Sequence, residues 1–238
     1  MSEPVIFLRN VAKRYAGVTA LEPLWLNISL GERVAILGPS GSGKTTLLNM
    51  LAGLDTPTSG QVFFGGIPLA EFTEKQLIQL RRYKIGVVFQ SFSLLPLLSA
   101  YENVELPMRI AGLSASERLM RTQQVLETVG MSRRAKHRPY ELSGGEQQRI
   151  SIARAAAMRP DVILADEPTG ELDSSNAAAI FGLFRQMVTD DGMSIVATTH
   201  DRTLLDMADR IHRLHNGELK VSKVGVHVNN HARFKRPD

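Results

Sequence analysis

A short apolar run, Val34-Ala35-Ile36-Leu37, breaks into GPSGSGKT and reopens as an apolar helical stretch from Thr46 to Leu54. The run reads as a strand buried on both faces. Gly38, Gly43, Lys44 and Thr45 then spell G-x-x-x-x-G-K-T. A strand that turns through glycines into a helix leaves backbone N–H groups free where the helix already favours an anion. Gly41 and Gly43 let those groups turn inward around phosphate oxygens. Lys44 brings a point charge to the β- and γ-phosphates, and the Thr45 hydroxyl can ligate Mg²⁺. Gly38, Ser40, Gly41, Ser42, Gly43, Lys44, Thr45 and Thr46 are therefore the expected phosphate-binding residues of a nucleoside triphosphate site. A chance glycine-rich turn would lack the strand before it and the helix after it.

The 238 residues suffice for a sizeable core, in one domain or a domain with a subdomain. The absence of cysteine excludes disulfides and thiolate metal sites. No apolar run reaches the roughly 18 residues of a bilayer span. The N-terminus, MSEPVIFLRN, does not read as a signal peptide, because Glu3 is acidic and the apolar run is short. A formal charge of +4 is too mild and diffuse to argue for nucleic acid or acidic lipid.

Val5 to Val11 and Leu24 to Leu30 read as strands, with Tyr15 between them in KRYAG. That tyrosine is either a loop anchor or a stacking platform for a base. Gln61 to Phe64 is a strand closed by a turn at Gly65–Gly66. Thr73 to Tyr83 is a helix with Thr73 and Gln76 spaced as a capping box. Ile85 to Phe89 is a strand ending on Gln90, and α/β sheets gather ligands at such carboxyl ends. From Ser91 the texture changes: FSLLPLLSAYENVELPMRIAG carries Pro96 and Pro107 and no strand alternation. Ser114 and Glu117 then cap a helix whose positions 119, 122, 126 and 129 share one face. Arg133 to Arg138 reads as a solvated loop. Residues 91 to about 158 thus form a mostly helical insertion, expected to be a subdomain and a partner surface.

In ELSGGEQQRISIARA, Ser143 and Glu146 make a further capping box. Gly144 and Gly145 leave N–H groups free at a helix start, a second anion seat on a chain with one phosphate loop, although a well-capped helix needs no ligand. Val162 to Ala165 is a buried strand that ends in Asp166-Glu167-Pro168. Two carboxylates there are costly unless a metal or a reacting water uses them. Asp166 is expected to hold Mg²⁺ through water and Glu167 to polarise the attacking water. Gly170 to Asp173 is a turn before a helix capped at Ser174 or Ser175, with Ile180, Phe184 and Met187 as core. Ser194 to Thr199 is a strand presenting His200 at its carboxyl end. Residues 211–221 form a hairpin on Asn216–Gly217, and the last 15 or so residues a frayed basic tail.

With these residues assembled, the chain resembles the nucleotide-binding subunit of an ABC transporter over residues 4 to 221. Tyr15 matches the adenine-stacking aromatic, Gly38 to Thr45 the phosphate loop, and Gln90 the Q-loop glutamine. Leu142-Ser143-Gly144-Gly145-Glu146-Gln147 matches the family signature, Ile163 to Glu167 the Mg²⁺ and catalytic-base segment, Asp173 the D-loop, and His200 the switch histidine. The resemblance implies an α/β fold: a P-loop (RecA-like) core with a mixed sheet, an N-terminal antiparallel β subdomain and an inserted helical subdomain. The core would occupy 1–90 and 159–221, the helical subdomain 91–158, and a basic tail 222–238.

The same resemblance implies ATP and Mg²⁺ as cofactors. Glu167, His200, Lys44 and Gln90 would act in catalysis, and Thr45, Gln90 and Asp166 at the metal. Tyr15, the phosphate loop, Ser143, Gly144, Gly145, Glu146 and Asp173 would contact nucleotide. In such proteins two subunits pack head to tail, and the signature of one covers the γ-phosphate bound by the other, so a homodimer sandwiches two ATP. The implied partner is an integral membrane permease on a separate chain, with the ATPase peripheral on the cytoplasmic face of the bacterial inner membrane. No nucleic acid is expected. FQSFSLLPLLSAYENVELP, GEQQRISIARA and ADEPTGELD are similar to the lipoprotein-releasing and macrolide-exporting branch, alongside the cell-division type. Glu171 departs from that branch, which more often carries Asn or another uncharged residue there. A soluble ABC ATPase working on DNA or ribosomes is disfavoured, since the chain has one cassette, no zinc cysteines and no long coiled coil. A transmembrane lever that switches an external enzyme without transport is the remaining alternative.

Overall fold

The structure, a computed structural model, describes residues 4–200 and 208–224. Along the chain run β1 (Ile6–Tyr15), β2 (Val18–Ile28), β3 (Arg33–Leu37), α1 (Lys44–Leu51), β4 (Ser59–Phe64), β5 (Ile67–Pro68), α2 (Glu74–Tyr83) and β6 (Ile85–Val88). Then come α3 (Ala100–Ile110), α4 (Ala115–Thr128), α5 (Gly144–Ala156), β7 (Val162–Ala165), α6 (Ser174–Asp191), β8 (Ser194–Thr199), β9 (Arg210–His215) and β10 (Glu218–Val224).

The first sheet, ordered β2-β1-β4-β5, is antiparallel throughout. The second is mixed and ordered β10-β9-β3-β8-β7-β6: β9 to β6 run parallel, and β10 folds back antiparallel on β9. Side chains alternate along the parallel strands and divide the interior in two. Val34, Ile36, Val162, Leu164 and Val196 face a core shared with α1 and the antiparallel sheet. Ile163, Ala165, Ile195 and Ala197 face the other way, into a core built from α3, α5 and α6. In α1, Leu47 and Leu51 are fully buried, each contributing about 1.5–3 kcal/mol by leaving water. Because β3, β6, β7 and β8 are parallel, their carboxyl ends share one edge of the sheet.

The expected architecture of mixed sheet, antiparallel β region and inserted helices is therefore the observed one. Several local expectations differ. The segment with Pro96 and Pro107 contains a regular helix, α3, with Pro107 inside it. Its start is set by Ser99 and Glu102, a capping box in which the Ser99 N–H donates to Glu102 Oε2 at 2.7 Å. Asn103, fully buried, donates Nδ2 to the carbonyls of Leu95, Leu98 and Ser99 and ties the preceding loop to the helix. On α4, Thr122 and Leu126 are buried, but Leu119 is half exposed. The buried stripe is narrower than the spacing implies. The basic stretch 133–138 is not plain loop: two short 3₁₀ turns, Ser132–Arg134 and Pro139–Glu141, flank Ala135 to Arg138. Helix α6 is capped by Asp173 rather than by Ser174 or Ser175, because its carboxylate reaches the N–H groups of Ser175 (3.0 Å) and Asn176 (2.9 Å). The hairpin turns on Asn216 (φ 48°) and Gly217 (φ 78°), both left-handed as such a turn requires. Residues 222–224 belong to β10 rather than to a tail, and the rest of the expected tail lies outside the described residues.

Candidate nucleotide site

Backbone shape sets the phosphate loop. Gly43 sits at φ 105° immediately before Lys44, and a Cβ there would meet the Ala20 carbonyl oxygen at 2.5 Å. A Cβ on Gly38 would meet the Leu214 carbonyl oxygen at 2.2 Å. The loop is thus pressed between β2 and β9, and only glycine fits at either position. Lys44 is 5% exposed, which is costly for an ammonium unless it is fully partnered. Its Nζ donates to the carbonyls of Gly38 (2.7 Å) and Pro39 (2.9 Å) and pairs with Glu167 Oε1 at 3.0 Å. The Ser42 hydroxyl is buried without a hydrogen-bond partner among the described residues, and Ser42 is not on the wall of the cleft beside the loop.

Opposite stand the two acids after β7. Asp166 Oδ2 accepts from the Thr45 hydroxyl and Oδ1 from the Thr198 hydroxyl, each at 2.7 Å. Thr198 in turn accepts from the Glu167 N–H at 2.9 Å. Glu167 has a left-handed backbone, φ 44°, a strained conformation for a residue with a side chain and one that clusters at functional sites. Its Oε2 lies 2.8 Å from His200 Nδ1. Burial pushes the Glu167 carboxyl up, but hydrogen bonds from Lys44 and His200 and their charges outweigh it and hold it below the usual range. Glu167 is thus a carboxylate at neutral pH.

The loop, Gln90, Asp166 and Glu167 line one cleft of about 320 Å³. Of the residues lining it, Ala20 alone goes beyond the sequence expectation. The cleft fits Mg²⁺: the Thr45 hydroxyl and Asp166 carboxylate are hard oxygen donors side by side, with the Gln90 amide in the same cleft. No cluster of three or more His, Cys, Asp or Glu suited to a metal occurs among the described residues. That suits an ion that keeps several waters and takes its remaining ligands from phosphates.

Two expected contact sets lie outside this cleft. Tyr15 ends β1 and is 44% exposed, on the hairpin whose second strand carries Ala20. Its hydroxyl donates to Asp55, and Lys13 Nζ lies 4.7 Å from its ring centroid. Ser143, Gly144, Gly145 and Glu146 open α5 elsewhere on the surface. Ser143 N–H donates to Glu146 Oε2 at 2.8 Å, and that bond, with further ones from the Ser143 hydroxyl and Arg134, holds the Glu146 carboxyl low against the opposing pull of burial. The two glycines differ. A Cβ on Gly145 would meet Asn176 Oδ1 at 2.7 Å, whereas one on Gly144 would make only ordinary contacts, the nearest at 3.7 Å with Phe92. Asp173, capping α6, is held down to about 2 by hydrogen bonds from the Asn176 N–H and then the Ser175 and Asn176 side chains.

Sequence reasoning passed over four contributors. Thr198 is a fully buried hydroxyl on β8, a strand that also carries Ser194 and Thr199. Asp55 carried no signal, since it is 40 positions from Tyr15, and Lys13 carried none because its role depends on its ion pair with Asp55. Arg154 on α5 donates to the carbonyls of Ser93 (2.6 Å) and Phe92 (3.1 Å), and both of those residues have left-handed backbones, φ 51° and 56°.

Residues 21–170 match the family model described as ABC transporter. The chain is 46% identical over 224 residues to macrolide export ATP-binding/permease protein MacB 2 of Aeromonas hydrophila, covering 92% of this chain and 34% of that one. It therefore spans about a third of the length of that relative. It is 42% identical over 220 residues to the lipoprotein-releasing system ATP-binding protein LolD of Nitrobacter winogradskyi, covering 91% of this chain and 95% of that one. A solved structure aligns with a TM-score of 0.85 at 42% identity, over 92% of this chain and 98% of the other: a dimeric post-hydrolysis state of the ATP-binding cassette MJ0796 of Methanocaldococcus jannaschii, bound to ADP and Pi.

Proposed function

Because the chain belongs to the ABC transporter family, as one of its ATP-hydrolysing cassettes, we propose that it powers release or export of lipoproteins from the inner membrane through a membrane-embedded partner on a separate chain. The observation that carries the ATPase chemistry is the single sheet edge at which Lys44, Thr45, Asp166, Glu167 and His200 meet. Likeness to LolD over nearly the full length of both chains supports the lipoprotein reading. Likeness to MacB 2 makes macrolide or peptide export the other cargo to test. These relatives are release and export systems, which disfavours a signalling lever without cargo.

In the proposed mechanism, the loop N–H groups and Lys44 hold the β- and γ-phosphates, and Gln90 and Asp166 face them across the cleft. Mg²⁺, held by Thr45, Gln90 and Asp166, would neutralise charge on the phosphate oxygens. Glu167 orients and polarises water for in-line attack, and His200 fixes that carboxylate through Nδ1. Ser143, Gly144, Gly145 and Glu146 close over the γ-phosphate of a second copy, with Asp173 beside them. No helix among the described residues is long and apolar enough to cross a membrane, and peripheral placement on the cytoplasmic face of the inner membrane is part of the proposal.

The partner is placed against residues 91–112, where Leu95, Leu97 and Ile110 are exposed while Val104 and Met108 are buried. A groove of about 390 Å³ between α2, β6, α3 and α5, with Arg81, Arg82, Pro107 and Arg154 in its walls, adjoins that segment. The experiment is ATP turnover in nanodiscs, with and without a permease of four membrane spans and a large external domain, alongside release of a labelled lipoprotein. Leu97→Asp is expected to keep basal turnover and lose stimulation. Undiminished stimulation moves the docking site elsewhere, and stimulation without lipoprotein release removes the cargo assignment.

A further inference from the structure

Lys13, Asp55 and Tyr15 form a closed set outside the cleft walls, and the Tyr15 hydroxyl is within hydrogen-bond reach of Thr46, which lines the cleft. Lys13, 9% exposed, pairs with Asp55 Oδ1 at 2.6 Å and donates to the Thr56 carbonyl at 2.7 Å. The Tyr15 hydroxyl donates to the other oxygen, Asp55 Oδ2. Asp55 Oδ1 also accepts the Thr56 N–H at 2.7 Å. One carboxylate therefore holds both the ammonium and the phenol, and the ammonium lies over one face of the ring at 4.7 Å from its centroid, within cation–π range. The hydrogen bond to Asp55, then burial and the carboxylate charge, push the Tyr15 phenol above its ordinary value. Tyr15 is nevertheless 44% exposed, with Lys13 over one face of its ring. Asp55 follows α1, the helix that starts at Lys44, so the set is tied to the same element that bears the phosphate-binding lysine.

We propose that Lys13 and Asp55 are positioning residues for the nucleotide base: they fix the Tyr15 ring at one angle and cover one face, leaving the other for a purine. This rests on the reading of Tyr15 as a stacking platform. A ring already held in place loses less freedom when a base stacks on it. Both Asp55 oxygens are engaged, so neither is free to read the amino or keto groups of the base, and the platform serves adenine and guanine alike.

The test measures dissociation constants of the full chain for ATP, GTP and inorganic tripolyphosphate in Lys13→Met, Asp55→Ala, Tyr15→Phe and Tyr15→Ala. Tyr15→Ala is expected to weaken ATP binding by roughly 5- to 150-fold. The other three keep the ring but lose its tether, and are expected to weaken ATP and GTP equally by roughly 3- to 10-fold, the scale of one lost hydrogen bond. Tripolyphosphate binding should be unchanged in all four, and Lys13→Arg should restore ATP binding. On a Tyr15→Ala background, Lys13→Met should cost nothing further. If Tyr15→Ala is costly while Lys13→Met and Tyr15→Phe are not, the inference is overturned and the platform stands. If Tyr15→Ala itself is without effect, the platform reading falls. Equal loss of tripolyphosphate would show that the set merely braces the loop after α1.

Discussion

The start of α1 and the start of α5 are both opened by glycine and both proposed as anion seats, yet they are finished differently. At α1 two of the three loop glycines, Gly38 and Gly43, are demanded by the packing of the chain itself, through the carbonyls of Leu214 and Ala20, while Gly41 is favoured by its left-handed φ of 76°. Lys44 is engaged by two loop carbonyls and by Glu167 after β7, and Asp166 by Thr45 of α1 and Thr198 of β8. At α5, Ser143 and Glu146 satisfy one another, and among the described residues Gly144 has no steric reason to be glycine. A seat completed by its own fold shows its cause in packing. One completed by a second copy, as proposed, leaves a glycine that its own chain does not explain.

The largest expected effect sharpens the first half of that contrast. Glu167→Gln should retain ATP binding while turnover falls by roughly 10²-fold or more, the scale of a lost general base, and the ATP-bound dimer should accumulate. Single-turnover hydrolysis near the wild-type rate would reduce Glu167 to a counter-ion for Lys44. Next, Ser143→Arg should leave nucleotide binding by the isolated monomer intact while dimerisation and hydrolysis fail. Mixing it with Lys44→Ala subunits should restore one competent site per dimer. A defect already present in monomer binding would put both seats to work within one chain and dissolve the contrast.

A finer cut separates the two glycines of α5. Gly145→Ala forces a Cβ against the Asn176 amide and should cost about 1–3 kcal/mol, as overpacking does. Gly144→Ala should leave thermal stability unchanged or slightly raised, since alanine favours a helix, yet impair ATP-driven dimerisation. Equal melting temperatures for the two variants would contradict the packing at Asn176.

The last effect concerns acid. His212 on β9 lies beside Ile36 of β3 and is 4% exposed, with neither ring nitrogen hydrogen-bonded among the described residues. Burial, then the Arg210 charge, push it down from 6.5 to about 4. Below pH 6.5 the unfolded chain takes up a proton that the folded chain refuses, so stability falls as pH drops from 6.5 towards 4. His212→Val should flatten that dependence in calorimetric scans, and hydrogen exchange at pH 5 should quicken around β3 and β9 before α5. Parallel curves for variant and wild type would show that His212 is not the titrating group.

What was legible in the sequence was local. The phosphate loop, the strand ends at Gln90, Asp166 and His200, and the capping boxes at Thr73, Ser114 and Ser143 are written in consecutive residues. Helix α3 falls within the expected helical insertion, but its start at the Ser99 and Glu102 capping box is local and its bounds are blurred by Pro107 inside it. Leu119 was assigned to a buried face because periodicity fixes a direction but not the width of the stripe. The pairing of Tyr15 with Asp55 joins positions 40 apart and became visible only when β1 and the loop after α1 met in space.

Helix α5 joins two of these features mechanically. From Ser143 to Arg154 it is a stiff rod of about 16 Å. Its leading end is the seat proposed for a second copy, and near its trailing end Arg154 grips the carbonyls of Phe92 and Ser93, two residues after Gln90. A tilt of about 10° would sweep one end some 3 Å relative to the other over that length. The gripped residues, two in succession with left-handed backbones, are where the chain can absorb such a stroke by rotating a peptide.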